Sequence, residues 1–185
     1  MDLLSVRDPE NITFKNMTVT NSSGNRSGIR LTNAKVELFD VALKGCDYAG
    51  LYIPRSASAT TLVATRCEFS NSRYGALLDG SLTSATFNNC VFHDNSQNGI
   101  HGYNTTIHLH GEATAIHSNG AYGIYTSNSG KVLIYLPSHH NTSYNNKYGD
   151  RHTRAGGTIT NVEDSQLGEG MNVCVFVPSV DIRSI

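Results

Sequence analysis

Charge is scarce in this sequence. Of 185 residues, 16% are charged, below the roughly 25% usual in soluble domains. Neither sign dominates: 14 Lys and Arg stand against 15 Asp and Glu, for a formal net charge of −1. That balance points away from a chain built mainly to hold nucleic acid or an anionic membrane. Long apolar runs are also lacking, and none approaches the ~20 residues needed to span a bilayer as a helix. The opening Met1-Asp2-Leu3-Leu4-Ser5 is too short, and lacks the basic flank, for a signal peptide. Cysteine is confined to Cys46, Cys67, Cys90 and Cys174, which excludes a disulfide-dense miniprotein. No segment sustains a helical period. What fills the chain is neutral and polar: Asn, Ser and Thr together account for 54 residues. Leu, Ile, Val and Phe number 43, above the rough 20% share below which chains tend to disorder. A core is therefore expected, inside an uncharged polar coat.

The strongest positive signal is an internal period. Glycines lead short apolar stretches at Gly28-Ile29-Arg30-Leu31, Gly50-Leu51-Tyr52-Ile53, Gly75-Ala76-Leu77-Leu78, Gly99-Ile100-His101-Gly102 and Gly123-Ile124-Tyr125-Thr126. A weaker copy begins at Gly149. Asn71, Asn95, Asn119 and Asn145 precede four of these glycines by four residues. Between the glycines lie runs with local two-residue alternation, such as Ile12–Val19 and Val36–Leu43, the mark of strands with one buried face. Cys67-Glu68-Phe69 and Cys90-Val91-Phe92 predict inward Cys and Phe on neighbouring repeats. A unit of roughly 24 residues holding two or three short strands cannot bury its own apolar face. Stacked copies can, because equivalent strands pair at about 4.8 Å and like side chains pile up inside. The column Ile29, Leu51, Ala76, Ile100, Ile124 is one expected pile. An Asn repeated at rung spacing can bond to its own copy above and below, as in stacked amide ladders.

The apolar-x-apolar strands, the Asn series and the Gly series together resemble the right-handed parallel β-helix family, over about residues 11–162. The expected fold is therefore an all-β, right-handed parallel solenoid of about six rungs. The resemblance implies the scaffold of pectate lyases, polygalacturonases, alginate lyases and epimerases, phage tailspikes and carbohydrate-binding modules, a family whose fold does not fix one activity. Residues 1–162 read as the repeat domain and 163–185 as a C-terminal cap, tail or start of a further segment. Val173-Cys174-Val175-Phe176-Val177 reads there as a strand stopped by Pro178.

Alternation also predicts which side chains leave the rod. One outward column runs Arg30, Tyr52, Leu77, His101, Tyr125, Arg151; the next runs Thr32, Pro54, Asp79, Tyr103, Ser127, Thr153. Neighbouring rungs set these about 5 Å apart, so Asp79, His101, Tyr103, Tyr125 and Arg151 are the candidate ligand-binding patch. Tyrosine faces suit sugar C–H faces, and Asp, His and Arg suit hydroxyls and carboxylates. As an enzyme, the patch would use His101 or Tyr103 as base, Tyr125 as acid and Arg151 to neutralise a uronate carboxylate. Hydrolysis needs paired carboxylates, and Asp79 has none in these columns. The polygalacturonase clusters, the Asp-Pro-His-Glu-type epimerase motif and the acidic calcium cluster of pectate lyases are all missing; Asp8-Pro9-Glu10 lacks the His.

His108 and His110 share a strand face, but Glu112 lies too far along it to complete a metal site, and His139, His140 and His152 show no second chelating pair. No metal and no cofactor are assigned. Cys67 and Cys90 stack in parallel, a poor disulfide geometry, so free thiols and a reducing, cytoplasmic setting are favoured. Six N-x-S/T sequons, at Asn11, Asn16, Asn21, Asn25, Asn104 and Asn141, stand against that and leave localisation open. The expectation is a recognition scaffold for carbohydrate or a protein partner, with no nucleic acid and no membrane. A polysaccharide lyase or epimerase and a structural, viral-fibre-like rod are the alternatives. Copies would meet end to end or through the C-terminal strand.

Overall fold

Most runs of alternating polarity are three to six residues long and form strands too short to stand alone, and here they find partners one repeat away. The computed structural model describes residues 4–7, 11–135 and 142–162. His139, His140, Cys174 and the strand expected at Val173–Val177 lie outside the described residues. No helix of the described chain is long and apolar enough to cross a membrane.

The chain coils through three strand positions per turn. The opening turn holds β1 (Leu4–Val6) and β2 (Asn11–Thr20), and the next β3 (Ile29–Leu31) and β4 (Lys35–Lys44). The third holds β5 (Ala49–Ile53), β6 (Thr60–Thr65) and β7 (Glu68–Ser70); the fourth β8 (Tyr74–Asp79), β9 (Thr83–Asn88) and β10 (Val91–His93). The fifth holds β11 (Ile100–Tyr103), β12 (Thr106–His110) and β13 (Ala115–His117). Then come β14 (Tyr122–Ser127), β15 (Lys131–Tyr135) and β16 (Ser143–Tyr144), and last β17 (Gly149–Arg154) and β18 (Thr158–Asn161). All pairings are parallel. The first face is a seven-stranded sheet, β1-β3-β5-β8-β11-β14-β17. The long β4 pairs β6 through Lys35–Phe39 and β7 through Ala42–Lys44, so one strand spans the corner between the second and third faces. This is the parallel β-solenoid of about six turns that the period predicts.

The inside is filled by stacking like on like. Ile29 pairs with Leu51, Leu51 with Ala76, Ala76 with Ile100 and Ile100 with Ile124, all fully buried. Phe69 and Phe92 lie parallel at 4.5 Å, and Phe87 meets both edge-on. Each buried aliphatic side chain contributes about 1.5–3 kcal/mol before entropy is subtracted. Cys46, Cys67 and Cys90 are buried free thiols. Burial pushes the Cys46 thiol above its ordinary value, so it acts as a small hydrophobe.

Corners need backbone that turns sharply. Asn16, Asp40, Arg66 and Asn89 take left-handed φ of 51–53° between the second and third faces. Asn71, Asp94, Ser118 and Asn145 do so, at 53–55°, before the first face. Asn and Asp tolerate this region better than other non-glycine residues. Arg66 is held there by two bonds to the Asp40 carboxylate, at 2.8 and 2.7 Å.

Asn95 and Asn119 form the buried ladder as expected, while this corner shifts the other two expected members, Asn71 and Asn145, by one residue. Asn71 is exposed and Asn145 is likewise a corner residue; the buried ladder belongs to the position after it. Asn119 Oδ1 accepts from the Asn95 backbone N–H at 3.2 Å and from Asn95 Nδ2 at 3.0 Å. Asn146 Oδ1 does the same for Asn119, at 3.1 and 2.8 Å. Each amide also donates to a carbonyl inside the coil: Asn95 to Phe69, Asn119 to Phe92, Asn146 to Ile116. Ser72 takes the Asn71-side place, accepting from the Cys46 N–H at 3.0 Å. The marker glycines border this ladder. A Cβ on Gly99 would sit 2.7 Å from Ile116, 2.8 Å from Asn119 Nδ2 and 2.9 Å from the Gly123 carbonyl. Gly149 breaks the series: it pairs with Tyr122, and Asp150 occupies the marker position instead, its carboxylate accepting from Asn146 Nδ2 at 2.9 Å.

Asn119→Ala removes the partner of the Asn95 backbone N–H and the side-chain donor to the Phe92 carbonyl in the interior. A loss of about 3 kcal/mol in denaturant unfolding is expected. Asn71→Gly, which suits its left-handed backbone, is expected to stay within about 1 kcal/mol of the parent. Equal effects at the two positions would contradict the ladder register.

Candidate functional site

The outer surface of the first sheet and its corners gather most of the tyrosine side chains. Register places Arg30, Tyr52, Leu77, His101 and Tyr125 in one outward column, as alternation predicts. Asp79, Tyr103 and Ser127 form the next. The last turn departs from expectation. Because Asp150 takes the marker place, Arg151 pairs with Ile124 in the inward column, and His152 pairs with Tyr125. In the second column Arg154, not Thr153, follows Ser127. Arg151 therefore does not join the patch; it lies at the end of the core column and donates to Asn161 Oδ1 at 3.0 Å.

Four of the five expected residues share one face over three adjacent turns. His101 and Tyr125 touch edge to face, with ring centres 4.6 Å apart. Asp79 and Tyr103 are register partners, and Arg55 joins them: its guanidinium lies 3.3 Å from the Asp79 carboxylate and 5.5 Å from the Tyr103 ring centre. Asn128 Nδ2 donates to the Tyr103 hydroxyl at 2.5 Å. Burial drives the His101 imidazole pKa down to about 4, outweighing the opposite pull of Asp79. The ring is thus a neutral donor–acceptor at ordinary pH, with Asn98 Nδ2 at 3.4 Å.

Columns read forward from each glycine miss half of the aromatic strip. Tyr74 and Tyr122 stand immediately before Gly75 and Gly123, and Tyr48 and Tyr148 lie on the entry corner. Tyr48 meets Tyr52 at 5.6 Å and Tyr74 at 5.8 Å; Tyr74 meets His101 at 5.7 Å. Further along, His152 stacks on Tyr122 at 4.4 Å, and Tyr122 meets Tyr148 at 6.2 Å. A half-buried ribbon of rings thus follows the solenoid axis. The sequence signal for its missing half is tyrosine one or two residues before the marker position.

The other two faces carry their own clusters. On the second, His110 stacks on Tyr135 at 4.3 Å, and His108 Nδ1 lies 3.3 Å from the Tyr135 hydroxyl. Burial lowers the pKa of both histidines. Among the described residues no group of three or more His, Cys, Asp or Glu is placed to hold a metal ion. On the third face, His93 lies between Glu68 at 3.0 Å and Asp94 at 2.7 Å, and Lys44 reaches Glu68 at 2.6 Å. Burial raises the Glu68 carboxyl, but the bonds from Lys44, His93 and Ser70 outweigh it and keep the group below its ordinary value. A groove of about 760 Å³ runs beside it, lined by Arg66, Glu68, Val91, His93 and Glu112. Here Arg66, Lys44 and His93 each already face a carboxylate, so the cluster acts as a surface brace.

Comparison with known proteins gives one positive finding. The family described as "right handed beta helix region" matches residues 3–166. No curated protein and no solved structure matches the chain.

In a folded-state NMR titration, His101 is expected to remain neutral through pH 5 and to protonate near pH 4. Its folded pKa lies below the unfolded value of about 6.5. Its contribution to stability is therefore present above that value and is lost as pH falls toward 4. A His101 midpoint near the unfolded value would show a solvated ring and contradict its place in the strip.

Proposed function

The chain belongs to the right-handed β-helix family, and from that premise we propose that it is a non-catalytic recognition module whose first sheet binds carbohydrate. The ribbon of tyrosine and histidine rings from Tyr48 to His152 carries this reading. Tyrosine combines an apolar ring with a hydroxyl, which matches the mixed C–H and O–H surface of a sugar. Rungs recur at about 4.8 Å, a step of the same order as a pyranose unit in an extended chain. The scaffold is rigid along this direction, so a linear glycan meets a preorganised row and little ordering is needed on binding. A protein partner is the second ligand class for the same row.

The lyase or epimerase alternative has less support. A histidine with a pKa of about 4 is a weak base for drawing a proton from carbon at neutral pH, since an efficient base titrates near the working pH. Arg151, the expected carboxylate neutraliser, sits in the inward column and bonds Asn161. A structural rod would need surfaces that join copies.

A glycan array tests the reading. Binding to at least one linear glycan is expected, weakened about fivefold or more by Tyr125→Ala or Tyr74→Ala at unchanged Tm. Release of unsaturated product from a uronate polymer, lost in Tyr125→Phe or His101→Ala, would favour the enzyme instead. No binding together with a trimer in solution would favour the rod.

A further inference from the structure

The first sheet carries charge as well as rings. Cations lie over tyrosines at four places: Arg30 over Tyr52 at 5.0 Å, Arg55 over Tyr103 at 5.5 Å, Arg73 over Tyr74 at 5.5 Å and Lys147 over Tyr148 at 5.2 Å. The whole sequence has a net charge of −1, yet the described residues hold 13 Lys and Arg against 8 Asp and Glu, a net of +5. On the second and third faces, with the corner between them, five cations meet four anions. Most of the excess therefore lies on the first sheet and its flanking corners, where eight cations stand against four acids. The four acids there are all engaged: Asp79 with Arg55, Asp94 with His93, Asp150 with Asn146, and Asp47 with the Asn25 backbone N–H.

The cations are also unevenly spaced along the rod. Arg30, Arg55 and Arg73 belong to its early part, and Lys147, Arg151 and Arg154 to its last turn. No Lys or Arg occurs between Arg73 and Lys131. The middle of the strip, at His101, Tyr122 and Tyr125, has rings and no cation. Arg73 and Lys147 enter turns that are three rungs apart, roughly 14 Å at the rung spacing.

We infer that the first sheet selects a sparsely anionic glycan, with neutral sugars over His101, Tyr122 and Tyr125 and carboxylate or sulfate groups at the Arg73 and Lys147 ends. This deepens, and rests on, the reading of that face as a glycan surface. A polymer charged on every sugar would press carboxylates against the uncharged middle, where they lose water and gain no partner. A stacked nucleic-acid strand repeats its phosphate about every 3.4 Å, out of step with the rungs.

The test compares five probes at one ionic strength: a gellan oligosaccharide, whose uronates are separated by neutral sugars; its carboxyl-reduced form; a lightly sulfated galactan; an oligogalacturonate; and single-stranded DNA. The gellan oligosaccharide or the sulfated galactan is expected to bind about three- to tenfold tighter than the reduced form. Which of the two binds tighter identifies the anion. That advantage should shrink as salt rises. Arg73→Gln and Lys147→Gln, at unchanged Tm, are each expected to erode it. Tighter binding of oligogalacturonate or DNA overturns the inference, as does an advantage that survives both substitutions. Equal binding of the native and reduced glycans overturns this inference alone; failure of every glycan to bind overturns the glycan reading with it.

Discussion

The whole structure depends on one constraint: each coil must lie over the last in register, so that its backbone N–H and C=O groups are met by its neighbours. Those bonds hold the turns about 4.8 Å apart and force equivalent residues into columns. A column tolerates only what stacks. Aliphatic and Phe columns do so by packing, as Phe69 and Phe92 show. The polar column does so because an amide both donates and accepts. Asn95, Asn119 and Asn146 each satisfy the coil beside them and a carbonyl of the interior. Buried polar groups arranged this way fix register, because a slip by one residue would leave several of them without partners. The glycines follow from the same crowding, since a side chain at Gly99 would push into the ladder.

Columns also explain how the surface residues are laid out. The coil repeats outward positions as faithfully as inward ones, so a residue type used once per turn becomes a strip. Seven of the nine tyrosines stand on the first sheet or its corners, leaving Tyr135 on the second face and Tyr144 on the third. Packing alone does not require that bias, because outward positions on all three faces are equally free of the core. Most of the positive excess falls on the same face, while Lys44, Arg66 and His93 on the other faces each meet a carboxylate. The coincidence of rings and cations on one face is the observation that supports the proposed glycan surface.

Much of this was legible in the sequence. The glycine period, the alternating runs and the paired Cys-x-Phe segments led directly to a parallel solenoid and to its inward columns. Asp79, His101, Tyr103 and Tyr125 were placed on one face because strand alternation needs only local information. What failed was register across loops. Asn71 and Asn145 match the spacing as well as their neighbours Ser72 and Asn146 do; only the backbone shows that the former turn the corner and the latter point inside. The same one-residue offset before the last turn put Arg151 in the wrong column, since Gly149 resembles a marker glycine that Asp150 replaces. Arg55, Tyr48 and Tyr148 lie on corners, where alternation stops and column reading has no purchase. Net charge hides the uneven distribution for another reason: it averages over residues outside the described ones, which hold seven of the fifteen acids and one of the fourteen Lys and Arg.

The central claim is that one face of the coil meets the ligand and the other two do not. The tyrosines supply an internal control. With ring-labelled tyrosine, NMR spectra recorded as a bound glycan is added should shift the signals of Tyr74, Tyr122 and Tyr125 and leave those of Tyr135 and Tyr144 in place. Shifts confined to Tyr135 or Tyr144 would place recognition on another face and contradict the account.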